Sequence, residues 1–343
     1  MVRWLRLLIV LDLCQRHSCH TKHNFFMSET FTPLRVTRKQ SLATDITLFE
    51  LAHPEGQELP VFTAGAHITV QTPSGLRRSY SLCGEPEHTA TWQIAVKRDA
   101  KGRGGSLSMT DDVHEGDLLP TLPWANMFEL NEAAPSYIFV AGGIGITPIL
   151  SMIRHLQSQG RNDFKLYYCT RDAASTAFVD ELKVTELVGH VKIHHDHGNA
   201  SQAIDLWPIF ERPTSAHVYC CGPQGLMDSV RDMTGHWPTE RIHFESFGVA
   251  QASFPENQAF DVVLQKSGAR VTVPAHQSIL EALRACGHVV SSSCESGTCG
   301  SCRTGLMSGE AEHRDLVLRP DEQAHQIMVC VSRAKSAELV LDL

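Results

Sequence analysis

Cys294-Glu295-Ser296-Gly297-Thr298-Cys299-Gly300-Ser301-Cys302, with Cys330 further on, is the stretch on which the reading of this chain turns. Its spacing, C-x4-C-x2-C and a distant fourth cysteine, is that of a plant-type ferredoxin cluster. Two bridged irons need four thiolates, and three from one tight loop can wrap the cluster. Gly297 and Gly300 let the backbone come close, so that N–H groups can point at sulfur and stabilise the reduced state. Zinc is the competing reading. Zinc sites usually offer two separated C-x2-C knuckles, whereas here one such pair is extended by an x4 partner. Cys294, Cys299, Cys302 and Cys330 are therefore assigned to a [2Fe–2S] cluster, and the chain to electron transfer.

Around this loop, residues 258–343 read as strands at Asp261–Gln265, Arg270–Val273, Ile327–Val331 and Leu339–Leu343. A helix starts at Ser278, with Glu281 completing a capping box, and closes near Gly287. A mixed sheet wrapped on one helix, the α+β β-grasp arrangement, is the compact solution. The polar stretch 249–257, with Pro255, is a linker. Before it, residues 133–250 alternate strand and helix, which predicts a parallel α/β sheet. Its strands are Tyr137–Ala141, Lys165–Cys169, Val191–His194 and His217–Cys220, and Pro148 opens the helix to Gln159. Residues 27–132 carry short β segments, among them Ile46–Leu51, His67–Gln71, Ser79–Cys83 and Trp92–Lys97, separated by turns. That is the pattern of a small antiparallel barrel.

The barrel block holds Arg78-Ser79-Tyr80-Ser81 at a strand end. Tyr80 offers a face and a hydroxyl to an isoalloxazine ring, Ser81 a hydrogen bond near the reactive nitrogen, and Arg78 a fork for phosphate. Ala95-Val96-Lys97, followed by Gly102-Arg103-Gly104-Gly105-Ser106, supplies a glycine-rich turn opening a short helix, which is a phosphate cradle. Either piece alone reads equally as core and hairpin; together they point to flavin.

The α/β block holds Ala141-Gly142-Gly143-Ile144-Gly145-Ile146-Thr147-Pro148 between a strand and a helix, where such sheets bind nucleotides. The spacing is not G-x-G-x-x-G, so dinucleotide binding does not follow from that fingerprint. Gly142, Gly143, Gly145 and Pro148 would admit a ligand closely, with Cys221-Gly222-Pro223 lining the same crevice. Asp172 would accept ribose hydroxyls and repel a 2′-phosphate, favouring NADH; Arg171 beside it argues the reverse. His194-His195-Asp196-His197 invites a metal reading, but neighbouring side chains on a strand end point in different directions, so a solvated loop is expected.

The chain has 343 residues, is 42% hydrophobic and carries a formal net charge of −8, which argues against nucleic acid and anionic membrane as partners. Eleven cysteines in a chain of this length, an odd count with three bunched within nine residues, fit a reducing compartment better than a disulfide scaffold. Leu5–Leu13 follows Arg3 and faintly resembles a signal peptide, but Asp12 interrupts it. Residues 1–26 are read as a non-structural extension, with Met27 a start.

In order, Arg-Ser-Tyr-Ser, Gly-Gly-Ile-Gly-Ile-Thr-Pro, Cys-Gly-Pro and the C-terminal cysteine set resemble the phthalate dioxygenase reductases, from about residue 30 to the end. Vanillate demethylase reductases share the layout. The resemblance implies FMN rather than FAD, NADH as donor, and the order barrel, nucleotide block, ferredoxin block. It implies that Arg78, Ser79, Tyr80, Ala95, Val96, Lys97, Gly104, Gly105, Ser106, Leu107 and Thr147 touch FMN, with Phe247 near its ring. Ser81, Thr147 and Phe247 would then stand nearest the chemistry. It further implies a cytoplasmic, monomeric reductase serving a terminal Rieske-type oxygenase in aromatic catabolism, phthalate 4,5-dioxygenase before vanillate O-demethylase. The rivals are an FAD-dependent monooxygenase reductase and a cluster-bearing sensor, which would not need both nucleotide motifs.

Overall fold

The computed structural model describes residues 31–100, 102, 104–184, 187–247, 257–292, 295, 297 and 300–343. The extension 1–26, most of the expected linker, Arg103 and the expected cluster ligands Cys294 and Cys299 lie outside them.

Six antiparallel strands come first: β1 (Thr32–Ala43), β2 (Ile46–Ala52), β3 (His67–Gln71), β4 (Arg77–Ser81), β5 (Trp92–Lys97) and β6 (Leu118–Thr121). Their order is β4-β3-β6-β1-β2-β5. A bridge between Leu82 and Ile94 joins the two ends into a ring. Ring closure removes the exposed edges that an open sheet would carry. Asp45, at φ 60, makes the tight turn between β1 and β2. Trp92, Ile94 and Val96 alternate into the ring with Phe49, Leu51, Ile68 and Val70. Helix α1 (Gly105–Asp112) follows β5.

The second sheet is parallel: β7 (Tyr137–Gly142), β8 (Phe164–Thr170), β9 (Val191–His195), β10 (His217–Cys221) and β11 (Ile242–Glu245), in the order β11-β10-β7-β8-β9. Helix α2 (Ile146–Ser158) connects β7 to β8 and buries Ile146, Ile149, Leu150, Ile153 and Leu156 at helical spacing. Shorter helices α3 (Val179–Leu182), α4 (Trp207–Phe210) and α5 (Gln224–Met233) complete this part. Pro148 falls in the first helical turn, as expected, at its third position, because a 3-10 turn over Gly143–Gly145 leads directly into α2 and starts it at Ile146. One core contains Leu48, Ala64 and Ala95 of the ring with Phe139, Ile146 and Met152.

The third sheet, β13-β12-β18-β14-β16, is mixed and packs on helix α6 (Ile279–Ala285). Its strands are β12 (Phe260–Leu264), β13 (Arg270–Val273), β14 (Arg303–Ser308), β16 (Gln326–Met328) and β18 (Glu338–Leu341); the pair β15 (Ala311–Glu312) and β17 (Arg333–Ala334) stands apart. β12 and β18 run parallel in the middle, the β-grasp pattern. Four strands end earlier than the sequence predicts: those expected to reach Cys83, Gln265, Val331 and Leu343 stop at Ser81, Leu264, Met328 and Leu341. Past Ser81 the backbone turns to form the Leu82–Ile94 bridge. Past Met328 the Val329 carbonyl accepts from the Leu280 N–H at the start of α6. Among the described residues no helix is long and apolar enough to cross a membrane.

Candidate functional site

The ring is closed between β4 and β5 by one bridge, so Arg78–Ser81 and Ala95–Lys97 border a seam. Three buried polar atoms on this side make no hydrogen bond among the described residues: Arg78 Nη2, Tyr80 Oη and Ser81 Oγ. Leaving such groups unsatisfied costs about 1–3 kcal/mol each, and a set within four residues marks a place meant for a polar ligand. Burial raises the Tyr80 phenol far above its ordinary value, so it stays a neutral donor. Gly104, at φ 85, caps α1, and a Cβ on Gly105 would come within 2.7 Å of the Arg78 Cγ and Nε atoms. The glycine thus lets the guanidinium lie across the start of that helix. Orphaned donors, an arginine and a helix N-terminus fit a flavin phosphate and ring.

Other expected flavin residues contribute differently. Ala95 and Val96 point into cores, so only their backbone, paired with Leu48 and Thr47, remains for a ligand. Lys97 is exposed and Leu107 half-buried. Ser79 Oγ bonds Thr69 Oγ1 at 3.1 Å, and Ser106 Oγ accepts from Asp99 N at 3.0 Å. The Thr147 hydroxyl is turned to the Ile144 carbonyl, 3.0 Å away. Arg78 is not a free fork: Nη1 donates to Arg77 O at 2.6 Å and meets Glu281 Oε1 at 3.4 Å, which leaves Nη2 for phosphate.

In the parallel sheet the chain leaves β7 for β8 on one side and reaches β10 on the other. The carboxyl ends of β7 and β10, paired at Ala141 and Cys221, therefore flank the switch point where such sheets bind nucleotides. Gly142, Gly143, Gly145, Pro148, Cys221, Gly222 and Pro223 all gather there. The sequence predicts that these glycines serve ligand approach; the structure gives some of them another reason. A Cβ on Gly145 would lie 2.2 Å from Cys221 O; one on Gly142 would lie 2.5 Å from Pro223 Cδ; one on Gly222 would lie 2.9 Å from Gly142 Cα. Gly145 and Gly222 are glycine because two loops pack backbone on backbone, and Gly142 because the Pro223 ring and Leu226 press on it. Gly143, at φ 53, has nothing within 4 Å and faces open space. Burial holds the Cys221 thiol well above its ordinary value, as expected of a packing residue. Phe247 stands just past β11, 45% exposed, beyond the Glu245 that pairs with Cys221.

Asp172 follows β8 and caps a 3-10 turn, accepting from Ser175 N at 2.8 Å. That bond holds its carboxyl below the ordinary range. The histidine run is spread out: His194 Nε2 bonds Gln202 O at 2.7 Å, His195 Nε2 bonds Thr176 Oγ1 at 3.2 Å, and no metal-ready cluster occurs among the described residues.

At the cysteine loop, Cys302 and Cys330 are both 2% exposed with sulfurs 3.0 Å apart, too far for a disulfide and close enough to share a metal centre. Gly297 has φ 77 and Gly300 φ 81, which the wrapped loop requires. A Cβ on Gly297 would strike Val331 at 2.6 Å. Buried paired thiols in such a loop fit the cluster.

Two contributors escape sequence reasoning. Arg154 on α2 holds both sides of the ring's closing bridge, donating to Cys83 O at 2.6 Å and Gln93 Oε1 at 2.8 Å, while it pairs with Glu181. No local pattern announces partners so remote. Arg284 of α6 reaches Glu295 of the cysteine loop at 2.6 Å; a cation in the last helical turn just before that loop is the available signal.

Comparison with known proteins matches residues 262–335 to the 2Fe-2S iron-sulfur cluster binding domain and residues 139–232 to the oxidoreductase NAD-binding domain. The chain is 58% identical to a phthalate 4,5-dioxygenase oxygenase reductase subunit of Pseudomonas putida, over 92% of this chain and 98% of the relative. It is 37% identical to a vanillate O-demethylase oxidoreductase of a Pseudomonas species, over 90% and 98%. A solved phthalate dioxygenase reductase superposes with a TM-score of 0.86 at 56% identity, covering 91% of this chain and 98% of that one.

Proposed function

The chain belongs to the phthalate dioxygenase reductase family of oxidoreductases, and from that premise we propose that it takes electrons from NADH, through FMN and its [2Fe–2S] cluster, to a terminal Rieske-type oxygenase, phthalate 4,5-dioxygenase. The observation that carries the reading is the seam, where Arg78, Tyr80 and Ser81 leave buried polar atoms unsatisfied beside a helix N-terminus. Phthalate is preferred to vanillate because identity to the phthalate relatives is far higher.

Flavin and cluster together, when bound, supply the conversion of a two-electron donor into single-electron transfers. Arg78 Nη2 and the backbone at Gly104, Gly105 and Ser106 hold phosphate. Tyr80, which keeps its proton, would offer its ring and hydroxyl to the flavin, and Ser79, Ala95, Val96, Lys97, Leu107 and Thr147 would be its other contacts. Ser81 offers its hydroxyl at the reacting edge. Phe247, exposed just past β11, would stand near the flavin ring. Gly143 gives the nicotinamide an unhindered approach; Gly142, Gly145, Pro148, Cys221, Gly222 and Pro223 shape the wall behind it, and Asp172 faces the adenosine ribose. Cys294, Cys299, Cys302 and Cys330 hold the iron. The working blocks are 27–132, 133–250 and 258–343, in a monomer of the reducing cytoplasm.

The test is reconstitution. With purified phthalate 4,5-dioxygenase and phthalate, the protein should drive NADH-dependent dihydroxylation, and a chain cut after residue 250 should reduce ferricyanide but drive no turnover. Equal turnover by the truncated chain would exclude the cluster as the last carrier.

A further inference from the structure

Helix α6 stands between the flavin seam and the cysteine loop, and one face of it touches both. Glu281 and Arg284 are three apart and so share that face. Towards the seam, Glu281 Oε1 lies 3.4 Å from Arg78 Nη1, a contact between residues 203 positions apart. Towards the loop, Arg284 Nη1 lies 2.6 Å from Glu295 Oε1. These side chains are between 11% and 19% exposed, so neither pair is heavily screened.

Glu281 does more than a helix cap requires. Its Oε2 accepts from Ser278 N at 2.8 Å, and its own N–H donates to Ser278 Oγ at 3.1 Å, which completes the capping box. The other oxygen is spent on the seam. Arg78 is divided in the same way: Nη1 turns to Glu281, and Nη2 is buried without a hydrogen bond among the described residues. A single guanidinium thus faces the ferredoxin helix with one nitrogen and the expected phosphate with the other.

We propose that Glu281 is a positioning residue for flavin-to-cluster electron transfer: the chain Arg78–Glu281–Arg284–Glu295 registers the cysteine loop against the flavin seam through one turn of α6. The proposal rests on the flavin reading of that seam. Because the Glu281 carboxylate and the phosphate are both anions on one cation, they weaken each other's hold on Arg78. Removing the carboxylate's charge should therefore strengthen flavin binding while it loosens the registration.

The opposite signs make the test. Glu281→Gln retains an acceptor for Ser278 N and loses the charge; Ser278→Ala removes the cap and retains the charge. In the full-length holoenzyme, Glu281→Gln should slow cluster reduction by NADH about tenfold in stopped flow. NADH oxidation by ferricyanide should be unchanged. FMN titrated into the flavin-stripped chain should bind about threefold tighter, read by fluorescence quenching. Ser278→Ala should lower the melting temperature and leave the cluster reduction rate alone. The proposal is overturned if Glu281→Gln reduces its cluster at the wild-type rate, or if both variants slow reduction equally with equal loss of melting temperature. A wild-type chain that takes up no FMN overturns the flavin reading itself, and the proposal with it.

Discussion

The flavin seam and the nicotinamide crevice are built on opposite plans. The crevice is closed by packing: Gly145 and Gly222 have no room for a Cβ because two loops lie backbone on backbone, and Gly142 because Pro223 and Leu226 press on it. One buried polar atom beside it, Gln224 Oε1, also lacks a hydrogen bond among the described residues, but close packing sets the wall. The seam is bordered by side chains whose polar atoms are left over, at Arg78, Tyr80 and Ser81, and its ring is closed there by one bridge. Part of its stability is withheld until a partner supplies those hydrogen bonds. A site of the first kind is rigid and shape-defined; a site of the second binds tightly because binding repairs a deficit. Substitutions should therefore act on folding in the crevice and on ligand affinity in the seam.

The largest effect should come from Gly145→Ala. Its Cβ would meet the Cys221 carbonyl oxygen and carbon at 2.2 and 2.5 Å, and backbone cannot step aside cheaply. A loss of about 3 kcal/mol is expected, measured by denaturant unfolding. Gly143→Ala, in open space at φ 53, should cost only about 1 kcal/mol for its left-handed backbone. Equal costs for the two would break the view that packing, and not ligand approach, demands glycine at 145.

Tyr80→Phe should show the other signature. Removing a buried hydroxyl that makes no hydrogen bond among the described residues should leave the flavin-free protein as stable as before, or stabilise it by up to about 1 kcal/mol. The same change should weaken FMN binding about tenfold in equilibrium titration. A drop in both would mean that the hydroxyl already has a structural duty.

Asp172→Asn should give the smallest change. Asn keeps a side-chain oxygen for Ser175 N, so the turn should hold and stability stay within about 0.5 kcal/mol. The preference for NADH over NADPH, roughly tenfold in kcat/KM for the unaltered chain, should narrow. An unchanged ratio would confine Asp172 to its turn.

How much of this was legible differs from part to part. The presence of a [2Fe–2S] domain could be read outright, because ligand chemistry fixes cysteine spacing along a short stretch and leaves few alternatives. The three blocks were legible for a related reason. Alternation of period two, helical spacing of apolar residues and capping signals such as Ser278 with Glu281 are local. Even the crevice glycines were visible as glycines, although not the reason for them.

The tertiary structure alone decided what depends on residues brought together from afar. That Gly145 answers to Cys221, that Arg154 holds both sides of the ring's closing bridge, and that Arg78 divides its nitrogens between the seam and Glu281 are contacts across 61 to 203 positions. A short motif records which chemistry its own residues can perform. It carries no record of a neighbour that only folding supplies, because contact energies depend on distance in space and not on order along the chain.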